Sequence, residues 1–434
     1  MADIRAFRGW RYNLARVGEL SAVVAPPYDV IDPSLEMELQ ARHPANIVRV
    51  ELGKEPPAGA DSDRYSRAAR QLHEWKTNGT LVEDSDPAIY VCHQNFQVAG
   101  RDYTRRGFIA RLRLEPFGTG SVFPHEETMP GPKADRLRLY HATGMNVSPT
   151  FGMYPDPHNE IQELCEEAVR RDTPLLARDH LGVESRLWPL TNHDVISRVR
   201  GLMGSRPVYI ADGHHRYETA LRYREERMGS RLDLDDESPP NFCMMMCVSM
   251  HDPGLLILPT HRLLSGIADG TADRIRSLLS AEFAVEEIGR GEAGSQGVWD
   301  LIEADGAQNV LGFGTLSDAR WQFARLRGPH RMEKLVPHHS PAWRGLGVSI
   351  LHELVIGELF RDAMGTVPPP FRYVHLLQEV NDALAAGECD LACLVPTPTM
   401  EDLRDIASSG ERMPAKSTYF YPKLLTGLVL NPIA

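Results

Sequence analysis

Apolar and polar positions change period several times along this chain, and the changes mark out its elements. "LSAVVAPPYDVIDP" begins with an apolar run that predicts a short buried strand ending at Pro26-Pro27 and turning through Asp29 and Asp32-Pro33. "IVRVELG" predicts a second strand. From Asp61 to Asn78 the apolar residues of "DSDRYSRAARQLHEWKTNG" recur at helical spacing between a capping Asp or Ser and a closing Asn-Gly, which predicts a helix. "AIYVCHQNFQVAGRDYTRRGFIARLRL" alternates on both sides of Ala99-Gly100 and predicts a hairpin. The next stretch, "GTGSVFPHEETMPGPKADRLRLYHATGMNVSPTFGMY", carries Gly, Pro and charge in place of apolar periodicity. It predicts a long connection of the kind that often holds function.

Beyond it the pattern predicts helices from about Glu160 to Arg171 and over "VISRVRGLMG", a buried strand at "PVYIA", and a helix at "ETALRYREERM". "FCMMMCVSM" and "LLILPTHRLL" are further strand candidates. "DRIRSLL", "NVLGFGTL", "WQFARLRG", "ILHELVIGELF", "DLACLVP" and "MEDLRDIASSG" continue the alternation of helix and strand to the end. The expectation is an α/β chain with mixed sheets in three parts, residues 1–105, 106–265 and 266–434.

Composition narrows the function classes. A chain of 434 residues exceeds one ordinary core, and 42% hydrophobic with 24% charged residues is the balance of a globular protein. A formal charge of -12 opposes the broad basic face of a nucleic-acid binder, so nucleic acid is disfavoured as a partner. The opening "MADIRAFRGWRYN" lacks the apolar region of a secretory signal and no apolar run reaches membrane-spanning length, so the expected location is cytoplasmic. The 6 cysteines are too sparse for a disulfide framework. Cys243/Cys247 and Cys389/Cys393 are spaced so that four thiolates are conceivable on zinc. Both pairs sit in strand-like apolar runs, however, where residues four apart share a face, and the reading adopted is buried core.

The densest chemistry lies in "YIADGHHRYETAL". A strand that runs into Asp212-Gly213 and emerges as a helix at about His215 presents a helix start, a natural anion site. Gly213 permits a tight turn, and His214, His215 and Arg216 add donors and positive charge, a collection that suits phosphate. Asp212 has three available roles: capping the helix, orienting a histidine or holding Mg2+. Plain turn chemistry remains the bland alternative, and the "PHHS" doublet at His338-His339 reads as a loop before a helix.

Here the residues carry a resemblance. "ADGHHRYETAL" resembles the phosphate-binding turn of the ParB/sulfiredoxin superfamily, and among its branches it is most similar to the free serine kinases. The whole chain also resembles the family called domain of unknown function 1015, through "VVAPPYDVI", "RVELGKE", "FPHEETMPGPKADRL", "NVSPTFGMY", "ADGHHRYETAL", "LPTHRL" and "MPAKSTYFYPKLLTGLV" in order. The superfamily resemblance implies a central nucleotide-binding core flanked by family-specific parts. It also implies ATP or ADP as co-substrate, with Mg2+, and a small hydroxyl metabolite such as L-serine as acceptor. "PHEET" resembles the segment that supplies the kinases' base, which implies Glu126, beside His125, as the catalytic pair. A nucleotide-binding switch without catalysis and a hydrolase of a phosphorylated metabolite remain the alternatives.

Other polar residues are candidates for ligand contacts. Lys133 and Arg136 in "KADRLRLYHAT" suit phosphates, with a solvated helix start as the competing reading. Thr260, His261 and Arg262 close an apolar strand, where α/β proteins often place ligand contacts. Lys416 and Ser417 follow Gly410 at phosphate-loop spacing, but Pro414 and Ala415 interrupt the pattern, so a polar cluster or a capped loop is expected in its place. Tyr28, Asp29, Asn146 and Ser148 are loop polars of the same ambiguous kind.

Overall fold

Every residue of the strand Phe242–Ser249 is buried, which is what an unbroken run of sulfur-bearing and apolar side chains demands. The strand sits inside a sheet, and the computed structural model around it describes residues 2–53, 63–127, 130–229, 235–267, 270–361 and 371–434. Asp61, Ser62 and Thr128, used in the sequence reading, lie outside the described residues. The protein is a mixed α/β chain that divides into two compact units. One comprises Met1–Pro124, Thr128–Leu256 and Pro422–Ala434; the other comprises His125–Glu127 and Ile257–Tyr421.

The first unit is built on a 9-stranded sheet. Its order runs Val122–Phe123, Val208–Asp212, Thr150–Tyr154, Phe242–Ser249, Arg101–Arg113, Ile89–Val98, Glu184–Leu190, Leu175–Arg178, with Ile4–Arg5 paired to the strand Arg101–Arg113. The expected hairpin is present, and Val98 pairs with Arg101 across a turn in which Ala99 and Gly100 both have positive φ. Helices Glu160–Val169, His193–Gly204 and His214–Gly229 supply Ile161, Cys165, Val199, Met203, Tyr217 and Ala220 to one core with the sheet. The second unit carries a 6-stranded antiparallel sheet of Phe283–Arg290, Arg320–Leu326, Val310–Thr315, Leu391–Leu394, His261–Leu264 and Arg372–Val374. Its core joins Leu263, Val298, Ile302, Trp321, Val380 and Leu394.

All six cysteines are free and buried, as the core reading of the two pairs requires. Other expectations fail for identifiable reasons. "IVRVELG" is a short helix, Val48–Glu51, because Asn46 ties its side chain to the Ala22 and Val24 carbonyls and accepts from the Val48 N–H, turning the chain where β-branched residues alone suggest extension. "LSAVVA" forms a 3-10 turn at Leu20–Ala22 and, among the described residues, a single isolated bridge from Ala25 to Thr426 in place of a strand. The polar stretch after Glu115 is no plain loop: it contains the helix Pro130–Thr143 and the strand Thr150–Tyr154. Buried Leu139 and Tyr140 show that its apolar residues were too few for periodicity to reveal it. Among the described residues no helix is long and apolar enough to cross a membrane.

Candidate phosphate-binding site

The strand Val208–Asp212 is buried over its first four residues and only its last one, Asp212, is partly open. Its pairing with Thr150–Tyr154 slips between Ile210 and Asp212, and a bulge of this kind re-aims the side chain that follows it. Gly213 then takes φ +84°, a left-handed conformation, and the helix His214–Gly229 starts at the next residue, with the Tyr217 N–H donating to the Gly213 carbonyl at 3.0 Å. A strand, a glycine turn and a helix start therefore meet as the sequence suggests.

Charge is concentrated there. Asp212 Oδ2 accepts from Arg216 Nη2 at 3.3 Å, and its Oδ1 accepts from Lys423 Nζ at 3.3 Å. Burial would push the Asp212 carboxyl up, but Lys423, Arg216 and His214 together hold it well below the usual carboxylate range. Arg216 is 2% exposed and also donates to the Pro149 carbonyl. Burial works against its charge, and Asp212, Asp29, Tyr28 and Glu51 outweigh burial and raise its pKa. His214 is buried and His215 half-buried on the same first helical turn. The arrangement is cationic around one carboxylate, held on rigid elements, and suited to an anion of phosphate type.

Lys423 is the residue that sequence reasoning missed. It lies in "YFYPKLLTGLV", six residues beyond the candidate Ser417, and no local pattern ties it to residue 212. Its delivery depends on the hairpin: Gln94 Nε2 donates to the Lys423 carbonyl at 3.1 Å, and buried Arg105 bonds both Gln94 and the Pro422 carbonyl. Arg105 also lies 4.7 Å from the Phe151 ring centre, and burial pushes its pKa down to about 10.

Arg136 belongs to a neighbouring buried knot. Its guanidinium sits 3.1 Å from Glu51 Oε1 and 4.3 Å from the centre of the Tyr28 ring, and Ser148 Oγ donates to the same Glu51 oxygen at 3.4 Å. Glu51 Oε2 is buried with no hydrogen-bond partner among the described residues. Burial and Asp29 push the Tyr28 phenol up to about 12, against the fields of Arg216 and Arg136. Lys133 pairs with Glu218 at 2.8 Å on the helix that follows the turn. Asn146 is structural, accepting from the Met244 N–H and from Asn431.

The remaining candidates gather in the second unit. Glu126 Oε1 accepts the Lys416 N–H at 2.6 Å, and Lys416 has φ +61°. The Lys416 carbonyl accepts from Arg262 Nη2 at 2.8 Å, so one peptide residue links the carboxylate to a fully buried guanidinium. His125 Nε2 bonds Thr418 Oγ1 at 2.8 Å, and Ser417 Oγ donates to the Pro414 carbonyl. Arg262 Nε donates to His352 at 3.2 Å and its Nη1 to the Thr260 carbonyl, while the Thr260 hydroxyl is buried without a partner among the described residues. Burial and the Arg262 charge push His261 and His352 down to about 3, leaving both neutral.

Mg2+ held by Asp212 does not fit these residues. Both carboxylate oxygens already face cations, so a protein-held dication would meet Lys423 and Arg216 at close range. Among the described residues no group of three His, Cys, Asp or Glu side chains is arranged to hold a metal.

A mixed α/β fold with a cation-rich strand-to-helix turn is thus the class of protein that the first unit defines. The chain belongs to the family described as "Protein of unknown function (DUF1015)", whose model matches residues 4–349. Among solved structures it is similar to a free serine kinase variant in complex with ADP, at 12% identity and TM-score 0.35, covering 71% of this chain and 89% of that one. A conserved hypothetical protein from Pyrococcus furiosus is similar at 14% identity and TM-score 0.33, with 71% and 92% covered. A C-terminally truncated SbnI from Staphylococcus aureus is similar at 10% identity and TM-score 0.36, with 75% and 87% covered. Identities and TM-scores this low leave the functional argument to the residues of this chain. No curated protein matches it.

Proposed function

We propose that the protein is a nucleotide-dependent phosphotransferase acting on a small hydroxyl metabolite, with free L-serine the first candidate. The observation that supports it most is the Asp212 turn, where Gly213 at φ +84° opens a helix beside Arg216 and Lys423. In this reading His214, His215, Arg216 and Lys423 neutralise the phosphates of ATP or ADP, and Asp212 keeps Arg216 and Lys423 in place. The motif resemblance supplies the choice of nucleotide and of L-serine.

The transferred phosphoryl group leaves its bridging oxygen with the departing nucleotide and forms a new P–O bond to the substrate hydroxyl. Glu126 takes the hydroxyl proton. The Lys416 N–H donates to its carboxylate and fixes its orientation. Magnesium enters as part of the nucleotide substrate.

The test is phosphorus NMR of purified protein with MgATP or MgADP and L-serine, against a Glu126→Gln variant whose nucleotide affinity is measured alongside. O-phosphoserine in the wild type, lost in the variant with affinity retained, supports the assignment. Nucleotide binding without product refutes L-serine as the acceptor and favours a switch, and phosphate release without acceptor points to a hydrolase.

A further inference from the structure

Away from the Asp212 turn, the first unit carries a second collection of positive charge around a cavity of about 510 Å3. Arg5, Arg111, Thr191, His193, Ser197 and Arg200 contribute to its wall, none of them part of the turn. Arg5 and Arg111 are direct partners across neighbouring strands, so two guanidiniums leave the same sheet face opposite each other. Like charges in that position repel, and an isolated sheet gains nothing from the pairing.

The available carboxylates do not balance the cluster. Asp3 Oδ2 bonds both Arg5 and Arg113 at 2.9 Å, and Glu237 lies 3.1 Å from Arg5 and 3.8 Å from Arg113. Among the described residues Arg200 reaches one carboxylate oxygen, Asp3 Oδ1, at 3.8 Å. Arg111 has no carboxylate partner among the described residues. It donates to two neutral acceptors, Asn431 Oδ1 at 2.6 Å and the Pro432 carbonyl at 2.9 Å, which fix the guanidinium plane. Asp86, the remaining acid in the wall, is exposed and accepts from Ser85.

A half-buried guanidinium oriented by neutral groups, facing another arginine beside a cavity, lacks a counter-charge. We propose that this cavity binds a small oxyanion, a phosphate- or carboxylate-bearing metabolite, with Arg111 as the bidentate anchor and Arg200 as the second cation. Thr191, His193 and Ser197 provide hydroxyl and imidazole groups for the rest of the ligand. The planar fork of arginine suits both oxyanions, so the chemistry is shared and the source is separated by experiment.

The experiment is calorimetric titration of the whole chain with inorganic phosphate and, separately, with acetate. Wild type, Arg111→Gln, Arg200→Ala and Lys423→Met are compared, with circular dichroism confirming the fold of each. The expected result is a binding event for at least one probe that weakens tenfold or more in both arginine variants and survives in Lys423→Met. The probe that shows it identifies the headgroup. Phosphate binding lost in Lys423→Met but unchanged in the arginine variants belongs to the Asp212 turn and overturns the proposal, as does absence of any event. Should Arg111→Gln fail to fold, Arg200→Ala decides alone, since that side chain is 40% exposed and its removal opens no core.

Discussion

Replacing Lys423 by Met removes one of the two side chains ion-paired with Asp212 while preserving the length of the side chain. The pair is mostly buried, with 12% of the lysine and 18% of the aspartate side chain exposed, at 3.3 Å. Breaking a buried pair by deleting one partner costs about 3–5 kcal/mol, because an uncompensated charge stays behind. Here Arg216 still faces Oδ2, and Asp212 keeps some solvent, so the expected loss is about 2 kcal/mol at neutral pH. The pH dependence has a definite sign. Asp212 has a depressed native pKa, so its stabilisation is present above the ordinary carboxylate value of about 4 and is lost as pH falls through the native value. In the variant burial is opposed by fewer cations, the native pKa rises, and the acid limb of the stability curve moves up. Urea unfolding from pH 7 down to pH 3 measures both effects, and a double-mutant cycle with Asp212→Asn isolates the pair. A variant as stable as wild type to within about 0.5 kcal/mol, with no coupling in the cycle, refutes the electrostatic account of the turn.

Two further outcomes follow from the same geometry. Gly213→Ala places a Cβ 2.9 Å from Arg216 Nε and Nη2 in a left-handed conformation, so a loss of about 2–4 kcal/mol and weaker phosphate binding are expected in thermal melts and titration; Gly204→Ala, which meets nothing within 4 Å, is the control and shifts stability by less than about 0.5 kcal/mol. The six buried thiols have burial-raised pKa values, up to about 12 for Cys92 and Cys243, so Ellman's reagent at pH 8 reacts with none of them in the native state and with all after denaturation.

What the sequence disclosed was local. The turn residues Asp212 to Arg216 are adjacent, and a glycine between a buried strand and an amphipathic helix admits few conformations. The hairpin at Ala99-Gly100 and the cysteine-bearing strand were legible for the same reason. Lys423 was not, because its role comes from Gln94 and Arg105 holding a distant segment, an event with no periodic signature. Glu51 was hidden by a Val-rich run that resembles a strand and folds as a helical turn under the direction of Asn46. Lys416 and Ser417 drew attention through their side chains. It is the Lys416 backbone that engages Glu126 and Arg262.

The separation of Asp212 from Lys423 by 211 residues also has a temporal meaning. At ribosomal rates of about 5–20 residues per second, the strand and helix of the turn are synthesised roughly 10–40 s before the lysine exists. Through that interval Asp212 has Arg216 and His214 but not Lys423, and the segment Pro422–Ala434 that Gln94 and Arg105 will hold is missing from the first unit. A nascent or prematurely terminated chain therefore lacks the Lys423 partner of Asp212. Completion of the charge cluster around Asp212 is therefore a late event in synthesis, set by the last segment of the first unit to be made.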